Sequence, residues 1–254
     1  MKGGIGPRTA GPDPSTRGVF VMADIRQFRY GTDNLGYVIH SGRYAAAVDG
    51  GATAAISAFL KKNRLDLVEI LNTHSHADHT SGNRILARET RAPVADMDEI
   101  AARDSFSVGD ATVEVIRTPG HSRDSVCYRV EKNLISGDTL LNGTVGNCFS
   151  GDFRAFFASL KQLMNLPDDT LVCAGHDYVR ASIAFARTLE PSNSALDDFE
   201  KAYDPACVYS TIGQELAVNP YFRFSQASIV SRLEAAGYPT GTEYDRWYGL
   251  MQME

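Results

Sequence analysis

Four side chains able to bind a metal ion fall within six residues in the stretch Thr73-His74-Ser75-His76-Ala77-Asp78-His79-Thr80. The apolar run Leu67-Val68-Glu69-Ile70-Leu71 before it reads as a buried strand. The run Ser81 to Arg91 after it reads as the start of a helix, with Ser81 as its cap. The stretch is therefore expected in a strand-to-helix loop, where side chains can converge outside the strand ends. His74 and His76 are two apart and share a face in extended backbone. Asp78 and His79 are neighbours and are expected to point to different places, which suggests two metal ions rather than one.

A chain of 254 residues can bury a large core as one big domain or as a main domain with a smaller one. Its apolar content of 43% and charged content of 22% are those of a soluble globule. The net charge is −6 and no Lys/Arg run occurs, which argues against nucleic acid as a partner. No apolar run has the roughly 18–20 residues needed to span a membrane, and no secretory signal is visible. The cysteines, Cys127, Cys148, Cys173 and Cys207, are widely spaced, as reduced thiols of a cytoplasmic protein would be.

Residues 1–18, rich in Gly and Pro, are expected to be a disordered leader, with Met22 suited to be a natural start. Strand-like runs follow at Val19–Phe28, Leu35–His40 and Tyr44–Asp49, separated by turn signals at 30–34 and 41–43. A helix is expected over Thr53–Asn63. After the metal-ligand stretch, Ala111–Thr118 alternates as a half-buried strand, and Ser125–Val130 with Asn133–Ser136 forms a hairpin. A glycine-rich loop over 142–151 leads to a helix over Asp152–Asn165, and Thr170–Ala174 is a further buried strand. The halves 19–118 and 119–178 fit two packed sheets with helices outside. Beyond Tyr178 the pattern is helical, over Val179–Leu189, Ala195–Tyr203, Ile212–Val218 and Ser225–Ala236, with no strand signal. The expected organisation is a 19–178 domain and a 179–254 helical domain.

Five of the six histidines, His74, His76, His79, His121 and His176, stand at expected strand ends, as does Asp138. His40 lacks such company and reads as a surface or core residue. Each of the three later strands ends in glycine beside a ligand-type side chain, which is how α/β scaffolds build sites at one rim.

Four motifs, His74-Ser75-His76-Ala77-Asp78-His79, Thr118-Pro119-Gly120-His121-Ser122, Ser136-Gly137-Asp138-Thr139 and Ala174-Gly175-His176-Asp177-Tyr178, resemble the metallo-β-lactamase superfamily, and within it the glyoxalase II branch. Asp49-Gly50-Gly51 matches an early family motif whose Asp supports the ligands from behind. Ser210-Thr211-Ile212-Gly213-Gln214-Glu215-Leu216 and Asn219-Pro220-Tyr221-Phe222-Arg223 look like that branch's C-terminal helical domain. The resemblance implies an α/β fold, the four-layer αββα sandwich, with an added α-helical domain. It implies that His74, His76 and His121 hold one metal, that Asp78, His79 and His176 hold a second, and that Asp138 bridges. With no thiolate in the set, zinc, iron or manganese all suit it.

Two divalent cations bring a bridging water to a pKa of roughly 7, so hydroxide is available at neutral pH to attack a carbonyl. Asp78 can orient it, and a thiolate leaves without a strong general acid. The expectation is therefore a thioester hydrolase of glyoxalase II type. The rivals within the superfamily are a persulfide dioxygenase with a single iron and another hydrolase, such as a nuclease. In the branch, a Gly-Lys-x-Tyr loop after the bridging Asp meets glutathione. Here that loop reads Gly146-Asn147-Cys148-Phe149-Ser150-Gly151, so Asn147 and Phe149 replace Lys and Tyr, while Tyr178 is kept. The tail Trp247–Glu254 brings no basic residue, and Arg223, Arg232 and Arg246 are the cations that could compensate. The glutathione part of the substrate is thereby left open.

Overall fold

A computed structural model describes residues 23–253, so the expected leader and the first part of the Val19–Phe28 run lie outside the described residues. Period-two patterning builds two sheets. The first sheet has the order β1-β2-β3-β4, with β1 Asp24–Tyr30, β2 Asn34–Ser41, β3 Tyr44–Val48 and, after helix α1 Thr53–Asn63, β4 Asp66–Leu71. The metal-ligand stretch follows as one helical turn, α2 Ala77–Thr80, and then α3 Asn83–Thr90. Ser81 is not a cap: Gly82 precedes α3 and no side chain caps it.

The chain then changes sheets through α4 Met97–Ala101. β5 Ser105–Val108, β6 Ala111–Arg117, β7 Val126–Val130 and β8 Asn133–Gly137 begin the second sheet. A two-stranded ladder, β9 Leu140–Leu141 with β10 Thr144–Val145, begins before the expected 142–151 loop and takes up its first residues. Helix α5 Phe153–Leu163 starts on its N-cap Asp152, and β11 Leu171–Ala174 returns parallel to β8. The change of sheet thus comes before β5, so the strand over 111–117 belongs with the second half and not the first.

The later region holds α6 Val179–Leu189, α7 Ala195–Ala202, β12 Ser210–Thr211, α8 Ile212–Val218, α9 Ala227–Ala235 and α10 Glu243–Met251. Against the expectation of helix alone, β12 pairs antiparallel with β11 and ends the second sheet, order β12-β11-β8-β7-β6-β5. Two residues carry no periodicity, so only the partner strand could disclose it.

Alternation along the strands sorts the core into layers. Tyr37, Ile39, Ala46 and Val48 of the first sheet meet Val126, Tyr128, Val130 and Cys173 of the second. The intervening residues Val38, Ala45 and Ala47 turn outward onto Ile56 and Leu60 of α1 and Leu86 of α3. Cys127, Leu134 and Val172 turn outward onto Phe156 and Leu160 of α5, with Ile212 and Trp247 beyond. This is the four-layer αββα sandwich. Residues of α6 and α7, such as Ile183, Leu196 and Phe199, join the same cluster as the inter-sheet residues.

Candidate metal centre

The ends of β4, β6, β8 and β11 open on one rim, and each carries part of the cluster. Past β4 the chain tightens into α2, and this brings Asp78 and His79 to a common point with His176 rather than to different places. Neighbours on a helix diverge by about 100°, an angle that still allows a carboxylate and a buried imidazole to meet. His79 Nε2 lies 3.5 Å from Asp78 Oδ2 and 3.3 Å from His176 Nε2. On the other side His74 Nε2 is 2.9 Å from His76 Nδ1, which is 3.1 Å from His121 Nε2. Asp138 stands between the groups: Oδ1 is 3.4 Å from His79, and Oδ2 is 3.5 Å from His121 and 3.3 Å from His176. All seven expected residues therefore converge, in the triads His74/His76/His121, His74/His79/Asp138 and Asp78/His79/His176. Only glycine fits where the strands end: a Cβ on Gly175 would lie 2.2 Å from Asp138 Oδ1, and one on Gly137 2.4 Å from Thr73 Oγ1.

Hydrogen bonds behind the cluster orient its rings. A backbone carbonyl can only accept, so His121 Nδ1 donates to Asn147 O at 2.9 Å. His79 Nδ1 donates to Asp49 Oδ2 (2.9 Å) and His176 Nδ1 to Asp33 Oδ1 (2.8 Å). Thr73 Oγ1 donates to Asp49 Oδ2 at 2.7 Å, which leaves it to accept from His74 Nδ1 at 3.1 Å. Four rings therefore direct an Nε2 lone pair into the cluster, and His76 directs Nδ1. Such second partners fix tautomer and ring direction in metal sites. Asp49, in left-handed backbone at φ +51°, also accepts from Thr73 N at 2.8 Å, in keeping with its expected supporting place.

Lone pairs this close need positive charge between them. Nitrogens bound tetrahedrally at about 2.0–2.1 Å lie about 3.3 Å apart, close to the separations seen here. Asp138 Oδ1 is buried and has no hydrogen-bond partner, an expense that a bound cation would remove. The electrostatics agree. Burial holds His74 down at about 3, helped by the nearby His79. Burial also opposes charge on His79, but Asp49 and Asp138 outweigh it and push that ring up to about 11. Asp138 is held well below the usual carboxylate range, against the pull of burial, by the nearby His176 and His79. The donor set, the orphaned oxygen and the demand for positive charge all fit two divalent cations.

A cavity of about 520 Å³ opens over the cluster, lined by His76, Asp78, His121, Asp138 and His176, and by Leu141, Val145, Asn147, Phe149 and Tyr178. Phe149 is 68% exposed, and its ring meets those of His76 and His121 at 5.6 and 5.3 Å. Tyr178 stacks on His176 at 5.0 Å; burial and then Asp33 raise its hydroxyl to about 12, so it stays a donor. No Lys or Arg of the described residues lines this cavity. The compensating arginines are elsewhere: Arg223 binds Glu190, and Arg246 binds Thr240 O and Ser225 Oγ. Arg232 lines a different hollow, beside Glu190. His40 packs on Phe59, and all four cysteines are free.

Sequence reading missed Asp33, Asn34, Thr73 and Tyr30. Asn34 Nδ2 donates to Asp78 Oδ2 at 2.8 Å, and Tyr30 Oη to Asp78 O at 3.2 Å. The first two read as turn residues. Their one signal was two polar side chains closing a tight hairpin.

The sequence pattern of the metallo-beta-lactamase superfamily matches residues 31–102 and 90–176, and that of the hydroxyacylglutathione hydrolase C-terminus matches residues 177–244. A hydroxyacylglutathione hydrolase of Brucella anthropi is 37% identical over 83% of this chain and 89% of its own length. One of Thiobacillus denitrificans is 35% identical over 78% and 84%. Among solved structures, ETHE1 of Myxococcus xanthus superposes with a TM-score of 0.65 at 23% identity, over 90% of both chains. The B3 metallo-beta-lactamase BLEG-1 superposes at 0.61 and 24%, over 78% of this chain and 99% of its own.

Proposed function

Because this chain belongs to the metallo-beta-lactamase superfamily, in its hydroxyacylglutathione hydrolase branch, we propose that it is a metal-dependent thiolester hydrolase acting on an S-2-hydroxyacylglutathione or a related acyl thioester. The observation that carries this reading is the seven-residue cluster beneath the open cavity. His74, His76 and His121 would hold one divalent ion, Asp78, His79 and His176 a second, and Asp138 would bridge. Zinc is the proposed occupant, with iron and manganese suited to the same ligands. When bound, the ions supply an ionised water near neutral pH and polarise the carbonyl.

The chain's own groups do the rest. Asp78, fixed by Asn34, accepts a proton and orients the attacking water. Its carboxyl lies below the ordinary range; burial pushes it up, but the Asn34 hydrogen bond and the nearby His79 outweigh that. Tyr178 Oη, protonated at neutral pH, is the donor for the thioester's polar groups. Phe149, Leu141 and Val145 exclude water from one wall and receive the acyl or thiol chain, while Asn147 offers an amide. The thiol departs as thiolate. The helical region after Tyr178 is proposed as the substrate-covering unit of a cytoplasmic enzyme. No helix of the described residues is long and apolar enough to cross a membrane.

The test combines metal content with turnover. Two metal equivalents per chain and hydrolysis of S-lactoylglutathione, lost in His76→Ala, are expected. One iron per chain with oxygen consumption on a glutathione persulfide would sink this reading. Thioesters of a neutral thiol such as N-acetylcysteamine probe the other end. With no cation lining the cavity, their kcat/KM is expected within about tenfold of the glutathione thioester, since two or three charge-assisted hydrogen bonds would give far more.

A further inference from the structure

Glu215, on α8, is fully buried, and nothing in the catalytic reading uses it. Its partners are all neutral donors. Gly143 N donates to Oε1 and Oε2, each at 3.0 Å, and Asn219 Nδ2 donates to Oε2 at 2.8 Å. Ser210 adds a side-chain hydrogen bond, and Ser210 Oγ in turn accepts from Asn142 Nδ2 at 2.7 Å. A buried carboxyl surrounded by donors and given no cation is expensive to ionise, and burial pushes it up to about 7. A group of that kind is more than filler when what it holds leads to the site.

It holds the β9–β10 turn. Asn142 and Gly143 are the two residues of that turn, and Gly143 has φ +86°, a left-handed position that favours glycine. A Cβ there would press Ser182 Cβ, on the cavity wall, at 3.1 Å. Asn219 Nδ2 also donates to Thr144 O at 3.0 Å. The turn's arms and exit supply Leu141, Thr144, Val145, Gly146 and Asn147 to the cavity. Asn147 O then accepts from His121 Nδ1 at 2.9 Å. One carboxylate on the helical region thus fastens the backbone that forms a cavity wall and ends on a cluster histidine.

We propose that Glu215 is a positioning residue: its carboxylate clamps the Asn142–Gly143 turn and so sets the cavity wall that receives the substrate. This rests on the thioesterase reading for its kinetic consequence but not for the clamp itself. A clamp differs from mere core filling, because core filling shows in stability alone, whereas the clamp shows in the wall.

Glu215→Gln keeps the volume and one acceptor but puts an amide donor where an oxygen accepts from Gly143 N or Asn219 Nδ2. It is expected to fold and bind wild-type metal, and to raise KM about tenfold while kcat stays within about twofold, about the loss of one hydrogen bond. Native hydrogen exchange is expected to quicken about 100-fold at residues 143–147 while α5 amides stay as they are. An unchanged KM with unchanged exchange at 143–147 overturns the proposal, whether or not the melting temperature falls. In the wild-type protein, independently of any variant, the Gly143 amide is expected to be protected like a strand amide. Free exchange there overturns the clamp, even if Glu215→Gln fails to fold. A wild type that turns over no thioester ends the thioesterase reading instead, and the exchange measurements still decide the clamp.

Discussion

Asp49 shows how much a single residue can carry. Its two oxygens accept from Thr73 N, Thr73 Oγ1 and His79 Nδ1, and through Thr73 it reaches His74. One carboxylate thereby aims a ring in each half of the cluster. Asp49→Asn retains the shape but puts an amide donor among these donors. Metal affinity is expected to fall between about 10- and 100-fold, read by competition with a chelator, with far-UV circular dichroism unchanged; equal affinity would show that the rings hold their aim unaided. Asp33 orients only His176, so Asp33→Ala is expected to weaken one metal equivalent and spare the other in the same titration. Asp49 was legible because Asp49-Gly50-Gly51 matches an early motif of the family that the sequence resembles. Asp33 was not, because a turn Asp normally bonds its own backbone, and its imidazole partner comes from 143 residues away.

Among the elements, the join between α6 and the segment after α8 is an ion pair. Arg223 Nε and Nη2 donate to Glu190 at 2.5 and 2.9 Å, and Ser228 Oγ adds a third bond at 3.0 Å. Burial pushes the Glu190 carboxyl up, but Arg223 outweighs it and holds it below the usual range. A carboxyl depressed in the folded state binds fewer protons than in the unfolded chain. Its stability is therefore full above the ordinary glutamate pKa, about 4.3, and drains as pH falls through the folded value. Arg223→Gln is expected to cost about 2 kcal/mol at pH 7, a little less than a fully buried pair. That is a melting temperature lower by about 4–8 °C, with the gap to wild type narrowing below pH 4. A gap constant with pH would assign the loss to packing. The sequence placed α6 and α8 well because their apolar faces repeat, and it missed β12, α10 and the β9–β10 ladder. Two-residue strands have no period, and α10 draws its place from Trp247 packing on Phe156 and Phe157.

At the scale of the whole molecule, the two sheets deliver four strand ends to one rim, and the bound cations would tie those ends together. Removing them with a chelator is expected to abolish turnover and lower the melting temperature, and added zinc to restore both. Ligand at about 1,000 times its Kd stabilises by about 4 kcal/mol. A melting temperature indifferent to chelation would mean that the rim is rigid without ions. The later helices are equally tied in: Ile183, Leu196 and Phe199 share a cluster with Tyr37 and Tyr128. A chain cut after Tyr178 strips that cluster and removes β12 from the sheet. It is expected to be insoluble, as judged by the soluble fraction on expression.

What the sequence marked out by itself, with the resemblance it carries, was a set of candidate ligands. His74, His76, Asp78, His79, His121, Asp138 and His176 announce themselves because ligand-type side chains at the ends of strongly patterned strands are rare and local, and strand pattern survives in one dimension. Only the tertiary structure decided how those residues are held. It brought Asp78 and His79 to one point through a helical turn, set Asp33 against His176 at the end of the second sheet and Asn34 against Asp78, drew Arg223 away to Glu190, and hung the cavity wall on Glu215. Apart from that turn, those decisions rest on contacts between segments far apart in the chain. They depend on which faces meet when the sheets pack, and no local periodicity encodes that.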